Sequence, residues 1–410
     1  MIKIWLITVL FCLAQPAISQ VLRVGKLQPF KTIKAALASA KDGDTVLVEA
    51  GNYKEQNLVI DKQIVLKGIG YPLLDGEKKY EVVSVKADHV LVEGFKIVRS
   101  GVSSIVDMGG IKVYDAENVV IKNNIIEETF FGIYIQYGKN CSVIGNRMMS
   151  SNKIEQQSGN GIHAWKSDSL VIVGNKVNGH RDGMYFEFVT NSTIVNNTLT
   201  HNIRYGLHFM FSHRNFYISN SFTGNGAGVA VMYSREVKMY NNHFDENWGD
   251  AAYGLLLKEI TDSHVEGNTF EKNTVGIYME GASRINISKN LFSKNGWAMK
   301  MQANCMDMNV VNNDFIGNTF DVGTNGSLVL NHFKNNYWDK YEGYDINRDK
   351  VGDIPYRPVS LYAMIIEQNP PAMILFRSFM ASLLDKTEKV LPSITPENLK
   401  DDFPLMKPVL

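Results

Sequence analysis

Soft ligands are scarce in this 410-residue chain, which has 3 cysteines, 9 histidines and 17 methionines, so their spacing is informative. His208 and Met210 stand two residues apart, and on an extended strand both side chains project to the same face. Met232 follows Met210 by 22 residues, and Glu187 precedes it by 23. Imidazole with thioethers suits a soft ion such as Cu(I), and Glu187 adds a carboxylate at the edge of the set. His163, Cys305 and Met306 are secondary candidates for the same chemistry. Asp345, Asn347, Asp349 and Asp353 fall at positions 1, 3, 5 and 9 of a calcium-loop pattern. Lys350 replaces the turn glycine of that pattern and Tyr356 its bidentate glutamate, so a plain Asp/Asn turn accounts for the segment equally well. His180, Arg181 and Asp182, with Arg204 and Tyr205, offer an acid and a base. Pairing of Asp182 with the two arginines across neighbouring segments is the simpler reading.

A repeat positions these residues. Glycine recurs at 110, 132, 161, 183, 206, 228, 254 and 276. Fourteen residues after each stands an asparagine: Asn124, Asn146, Asn175, Asn197, Asn220, Asn242, Asn268 and Asn290. The residues one and three after each glycine are apolar, as in Leu207 and Phe209. Those eleven and sixteen after are also apolar or aromatic, as in Tyr217 and Phe222. Alternation with period two marks short half-buried strands. A repeat of ~22 residues suits three strands per coil. The expected fold is all-β: a right-handed parallel β-helix, a solenoid whose stacked coils share one core. Its asparagines should form a ladder of side-chain amides, and its glycines should permit the turn that opens each coil. The Gly-to-Asn spacing never changes, so two insertions, 151–160 and 247–253, fall late in their coils.

Residues two and four after each glycine are expected to point outward. Neighbours in such a column lie ~4.8 Å apart. Glu187, Met210 and Met232 should therefore stack, with His208 beside Met210 and open space over Ala230. His163 falls two coils from His208, roughly 10 Å away on this spacing, which is far for one shared ion.

The remaining segments frame the solenoid. Lys3, an apolar run and Ala17-Ile18-Ser19 read as an export signal over 1–19, cleaved near Ser19. The β-helix and its N-terminal cap occupy 20–336, with an amphipathic capping helix over 30–41. A non-repeat tail occupies 337–410, with an apolar helix over 372–385 interrupted by Arg377; it is read as an end cap or a partner-docking segment. Lys plus Arg number 42 and Asp plus Glu 42, which gives no support for a nucleic-acid partner. Cys141 and Cys305 lie seven coils apart, roughly 34 Å, too far for a disulfide. Exported β-helices also include polysaccharide lyases and epimerases, which is the rival reading. No basic stripe for a polyanion is present.

Several segments are more specific than the repeat. They are Arg204-Tyr-Gly-Leu-His-Phe-Met-Phe-Ser212, Gly228-Val-Ala-Val-Met-Tyr-Ser234 and Tyr253-Gly-Leu-Leu-Leu-Lys-Glu-Ile260. In the tail they are Asn336-Tyr-Trp-Asp-Lys-Tyr-Glu-Gly-Tyr-Asp345, Gly352-Asp-Ile-Pro-Tyr-Arg-Pro358 and Pro404-Leu-Met-Lys-Pro408. In these the chain resembles the NosD family of periplasmic maturation proteins for nitrous oxide reductase. The resemblance implies a non-enzymatic role in assembling that enzyme's copper–sulfur centre. It implies partners as well: an ABC transporter (permease and ATPase), a copper-chaperone lipoprotein and the reductase itself. It implies a periplasmic protein held at the inner membrane through the transporter, with the tail docked on the permease. Transient copper is the expected ligand, with the segment around His208, Met210 and Met232 as the place that handles it; calcium at the tail loop is the weaker expectation.

Overall fold

The computed structural model describes residues 19–409 except 104, 250–251, 327–329 and 391–398. The expected export signal lies outside the described residues apart from Ser19. From Val21 to Trp338 the chain winds into a parallel β-helix. Among the described residues its three sheets have 14, 12 and 13 strands, and neighbouring strands within each sheet come from successive coils.

One coil shows how the repeat produces this. Tyr205–Met210 joins the 12-stranded sheet, Phe216–Ile218 the 14-stranded sheet and Ser221–Thr223 the 13-stranded sheet. The inward residues Leu207, Phe209, Tyr217 and Phe222 are all fully buried. At the last of these positions Phe222, Phe244, Phe270, Phe292 and Phe315 stack face to face with centroids 4.6–5.2 Å apart, and Trp338 closes the column at 4.0 Å.

The repeat glycines do not open the coils through a left-handed turn. All but Gly161, which immediately precedes its strand, lie within strands of the 12-stranded sheet, and they are needed for close approach. A Cβ on Gly206 would meet the carbonyl oxygen of Gly228 at 2.7 Å and the Phe222 ring at 2.8 Å. The left-handed turns fall on other residues, among them Asn196 and Asn241, each just before a ladder asparagine.

The ladder asparagines are buried and continuous. Asn197 Nδ2 donates to Asn220 Oδ1 at 3.0 Å, and Asn220 Nδ2 donates to Asn242 Oδ1 at 3.0 Å. Each Oδ1 also accepts the backbone N–H of the preceding asparagine, as in Asn197 N to Asn220 Oδ1 at 3.0 Å. A second ladder runs five residues later through Asn202, Asn225, Asn247, Asn273, Asn295 and Asn318. His180 stands at its head, with its backbone N–H on Asn202 Oδ1 at 3.1 Å.

Both ends of the solenoid are covered. Helix α1 (Ile33–Ser39), N-capped by Thr32, buries Ile33, Ala36 and Leu37 over the first coils. It is preceded by a strand, Val21–Val24, that pairs with Thr45–Val48 and was not expected from the sequence. At the other end the extended segment around Asp401, rather than a helix, closes the stack. Asp401 Oδ2 accepts from Asn336 N and Asn336 Nδ2, both at 2.9 Å, and from Trp338 Nε1 at 3.2 Å. A carboxylate thereby ends the asparagine ladder.

Helices α2 (Leu361–Gln368) and α3 (Phe379–Val390) lie instead on the flank of the solenoid. Tyr362, Ala363, Ile366 and Ala381 pack on Val275, Trp297 and Phe320 of the 12-stranded sheet. The expected helix over 372–385 begins only at Phe379. Pro370 opens a 3-10 turn ending at Leu375, and Arg377 takes a left-handed φ of 62°, which breaks the helix there.

Candidate functional site

The outer face of the 12-stranded sheet brings the expected column together. Trp165, Glu187, Met210, Met232 and Lys258 are in direct register on successive strands. Beside them run His163, Tyr185, His208, Ala230 and Leu256. His208 and Met210 share one strand and one face. The Tyr185 hydroxyl lies 3.9 Å from Met210 Sδ. His163 stays two coils from His208, with the Tyr185 ring between them at 5.0 Å from each.

This column differs from the sequence expectation in its burial. His208 is 6 % exposed and Ala230 0 %, so no space opens over Ala230. Tyr205, just before the repeat glycine Gly206, leans over the column: the Tyr205 and His208 rings lie 4.8 Å apart. Larger residues stand on the rungs either side of the two alanines, namely Tyr205 and Tyr253 beside Ala227, and His208 and Leu256 beside Ala230. They close over the methyl groups.

Burial sets the charge states. It pushes the His208 imidazole down to about 4, helped by Arg204 and Arg181, so the ring is neutral at ordinary pH. His163 is pushed down to about 3 and His180 to about 4 for the same reason. Both ring nitrogens of His208 are buried without a hydrogen-bond partner. Asp182 sits 3.8 Å from Arg204 Nε and 3.8 Å from Arg181 Nε. Desolvation nonetheless pushes its carboxyl up to about 6.

The insertion 151–160 is fastened onto this face. Arg204 Nη1 reaches Glu155 Oε1 at 3.3 Å, Arg181 Nη2 donates to Asn160 Oδ1 at 3.2 Å, and Asn160 Nδ2 faces His163 Nδ1 at 2.9 Å. The Glu155–Arg204 pair is half-exposed and weak. Glu155→Gln should therefore speed modification of His163 and His208 by diethyl pyrocarbonate by up to about fivefold. Mass spectrometry of the labelled peptides reads this. Unchanged rates would mean that the insertion is not a cover.

Two other expectations are not met. Cys305 is buried in the core, whereas Met306 is 50 % exposed, so the two point apart and do not share an ion. In the tail loop the oxygens are used within the turn. Asp345 Oδ2 accepts Lys350 N at 2.9 Å, Asn347 Oδ1 accepts Asp349 N at 3.0 Å, Asp349 Oδ1 accepts Val351 N at 2.8 Å, and Asp353 Oδ2 accepts Ile346 N at 2.7 Å. This is an Asp/Asn turn, with its side chains directed at backbone N–H groups rather than at a common centre.

Residues 144–350 match the family described as "Periplasmic copper-binding protein (NosD)". The chain belongs to the NosD family. It is 26% identical over 378 residues to "Probable ABC transporter binding protein NosD" of Stutzerimonas stutzeri, spanning 87% of this chain and 86% of that one. To the protein of the same name in Pseudomonas aeruginosa it is 28% identical over 387 residues, spanning 89% of each. The A-module of the mannuronan C-5 epimerase AlgE6 of Azotobacter vinelandii superposes with a TM-score of 0.50. It does so at 15% identity over 74% of this chain and 86% of that one, which shows a shared fold alone.

The matched NosD region contains Glu187, His208, Met210 and Met232. Their chemistry fits a soft ion. A neutral imidazole with no hydrogen-bond partner retains a free lone pair, and two thioethers stand on adjacent rungs beside it. His208 with Met210 and Met232 would be the ligands, with Glu187 one rung from Met210 at the rim. Among the described residues no NosD helix here is long and apolar enough to cross a membrane.

Proposed function

We propose that this chain is a periplasmic accessory protein in assembly of the copper–sulfur centre of nitrous oxide reductase. It acts beside an ABC transporter and receives copper from a chaperone lipoprotein. Copper is cargo here, passing through His208, Met210 and Met232. The observation that carries the reading is a coincidence: the stretch that matches a copper-binding family contains a buried histidine with no hydrogen-bond partner beside two stacked methionines. The transporter-binding name of both relatives supports the partner. The solenoid at 20–336 is the handling body and the tail at 337–410 the docking segment, with export through the leader at 1–19. The rival reading, a polysaccharide lyase or epimerase, would use Asp182 as base, but two arginines flank that carboxylate within 3.8 Å.

The test is on the client enzyme. Deleting the gene in its host should yield a nitrous oxide reductase lacking copper and sulfide at its catalytic centre. Wild-type gene should restore both, and a gene carrying His208→Ala with Met232→Ala should not. The purified double variant should bind Cu(I) at least about 100-fold more weakly in competition with a chromophoric chelator, since a lost ligand costs at least as much as a lost supporting partner. Unchanged Cu(I) affinity sinks the site. A fully loaded reductase in the deletion strain sinks the role.

A further inference from the structure

A second cluster of ligating side chains lies on a different face, the outside of the 13-stranded sheet. His243 and Asp245 flank the inward Phe244 on the strand His243–Asp245, so both project outward. Glu271 is in direct register with Asp245 on the next coil. One ligand atom from each of the three lies within 4.8 Å of the others. We propose that His243, Asp245 and Glu271 form a binding site for a divalent metal ion of borderline hardness, with Zn2+ as the type.

Two observations separate this group from an ordinary acidic surface. The first is its composition. One imidazole and two carboxylates make a mixed nitrogen and oxygen set, which suits Zn2+ or Co2+ and lacks the sulfur that Cu(I) prefers. The second is Asp245 Oδ1, which is buried with no hydrogen-bond partner. An enclosed carboxylate oxygen normally takes a donor.

Two lysines border the site, and a bound cation would displace them from Glu271. Lys272 Nζ lies 3.4 Å from Glu246 and 3.9 Å from Glu271, and Lys294 Nζ lies 3.9 Å from Glu271. These lysines stand beside Glu246 and Glu271; Lys272 acts on Asp245 electrostatically but does not come within ion-pair distance of it among the described residues. The base of the site is rigid, because Phe244 and Phe270 stack beneath it at 4.6 Å and 5°. Ligands of a tetrahedral ion stand roughly 3.4 Å apart for bonds of ~2.1 Å. The site joins two consecutive coils at the foot of the 247–253 insertion and is independent of the copper reading.

The experiment uses the untagged mature protein, freed of metal by chelation. Zn2+ is followed by competition with a chromophoric chelator and Co2+ by its visible d–d bands. One equivalent of each should bind. His243→Ala and, separately, Glu271→Gln should weaken Zn2+ binding by more than about 100-fold and abolish the Co2+ bands, whereas His208→Ala should leave both intact. Circular dichroism verifies that each variant is folded, and two separate variants guard against the loss of one. No stoichiometric binding by the wild type, or binding that both His243→Ala and Glu271→Gln retain, overturns the site. Loss of both signals in His208→Ala overturns its independence.

Discussion

Asn220→Ala should lower the stability of the solenoid by about 3–5 kcal/mol, read as a fall in the denaturant midpoint. The side chain makes four hydrogen bonds in a fully buried position. Its Oδ1 accepts from Asn197 N and Asn197 Nδ2, each at 3.0 Å. Its Nδ2 donates to Ile194 O at 2.9 Å and to Asn242 Oδ1 at 3.0 Å. Alanine leaves the Asn197 N–H without its acceptor in the dry interior, and an unmet buried group costs about 1–3 kcal/mol by itself. Loss of the amide also interrupts the ladder in the middle of the stack, and coils couple only to their neighbours. Amide hydrogen exchange at Asn197 should accelerate in parallel. Asn347→Ala in the exposed tail turn is the comparator and should shift stability by less than about 1 kcal/mol. Equal shifts for the two variants would mean that the ladder contributes nothing particular.

Ile374→Glu combined with Phe379→Glu should abolish co-purification of the transporter while leaving the melting temperature unchanged. Both residues project from the tail, at 88 % and 83 % exposed, among Met373, Leu375, Phe376, Met380 and Leu383, which are also exposed. Exposed apolar side chains gathered in one short segment are what an interaction surface would use. Two buried anchors at about 2 kcal/mol each correspond to roughly a thousandfold in affinity. No packing against the solenoid is lost, because the seated residues are Tyr362, Ala363, Ile366 and Ala381. Removing 360–410 wholesale would be a poorer test. That deletion also takes Asp401, which closes the asparagine ladder, and so confuses docking with unfolding. A transporter complex that survives the double substitution assigns docking to another surface.

Much of the architecture was legible in local spacing. A constant interval from glycine to asparagine can persist across coils only if each coil has the same path, so it gave the register of Glu187, Met210 and Met232. The second asparagine ladder carried an equally regular signal, five residues after the first, and counting forward from Asn197 to Asn202 would have found it. The divalent cluster was legible in the same way. Asp245 and Glu271 each stand three residues after a ladder asparagine, Asn242 and Asn268. The intervals are identical, so the pair must face each other across one rung.

Spacing along the chain thus sufficed for the parallel β-helix, its inward residues and the neighbours within each column, because a repeat fixes register by translation. Exposure was beyond its reach. Whether the His208 column faces water depends on Tyr205 leaning over it, and the way the insertion 151–160 is fastened there depends on Glu155 meeting Arg204 across 49 residues of chain. The role of the tail was open for the same reason. Asp401 meets Asn336 across 65 residues, and the seat of the helices on Val275, Trp297 and Phe320 is a contact between an aperiodic segment and a periodic one. Periodicity specifies where a coil meets its copy. Where an unrepeated segment comes to rest depends on which apolar surface and which unpaired polar groups remain once the coils are stacked.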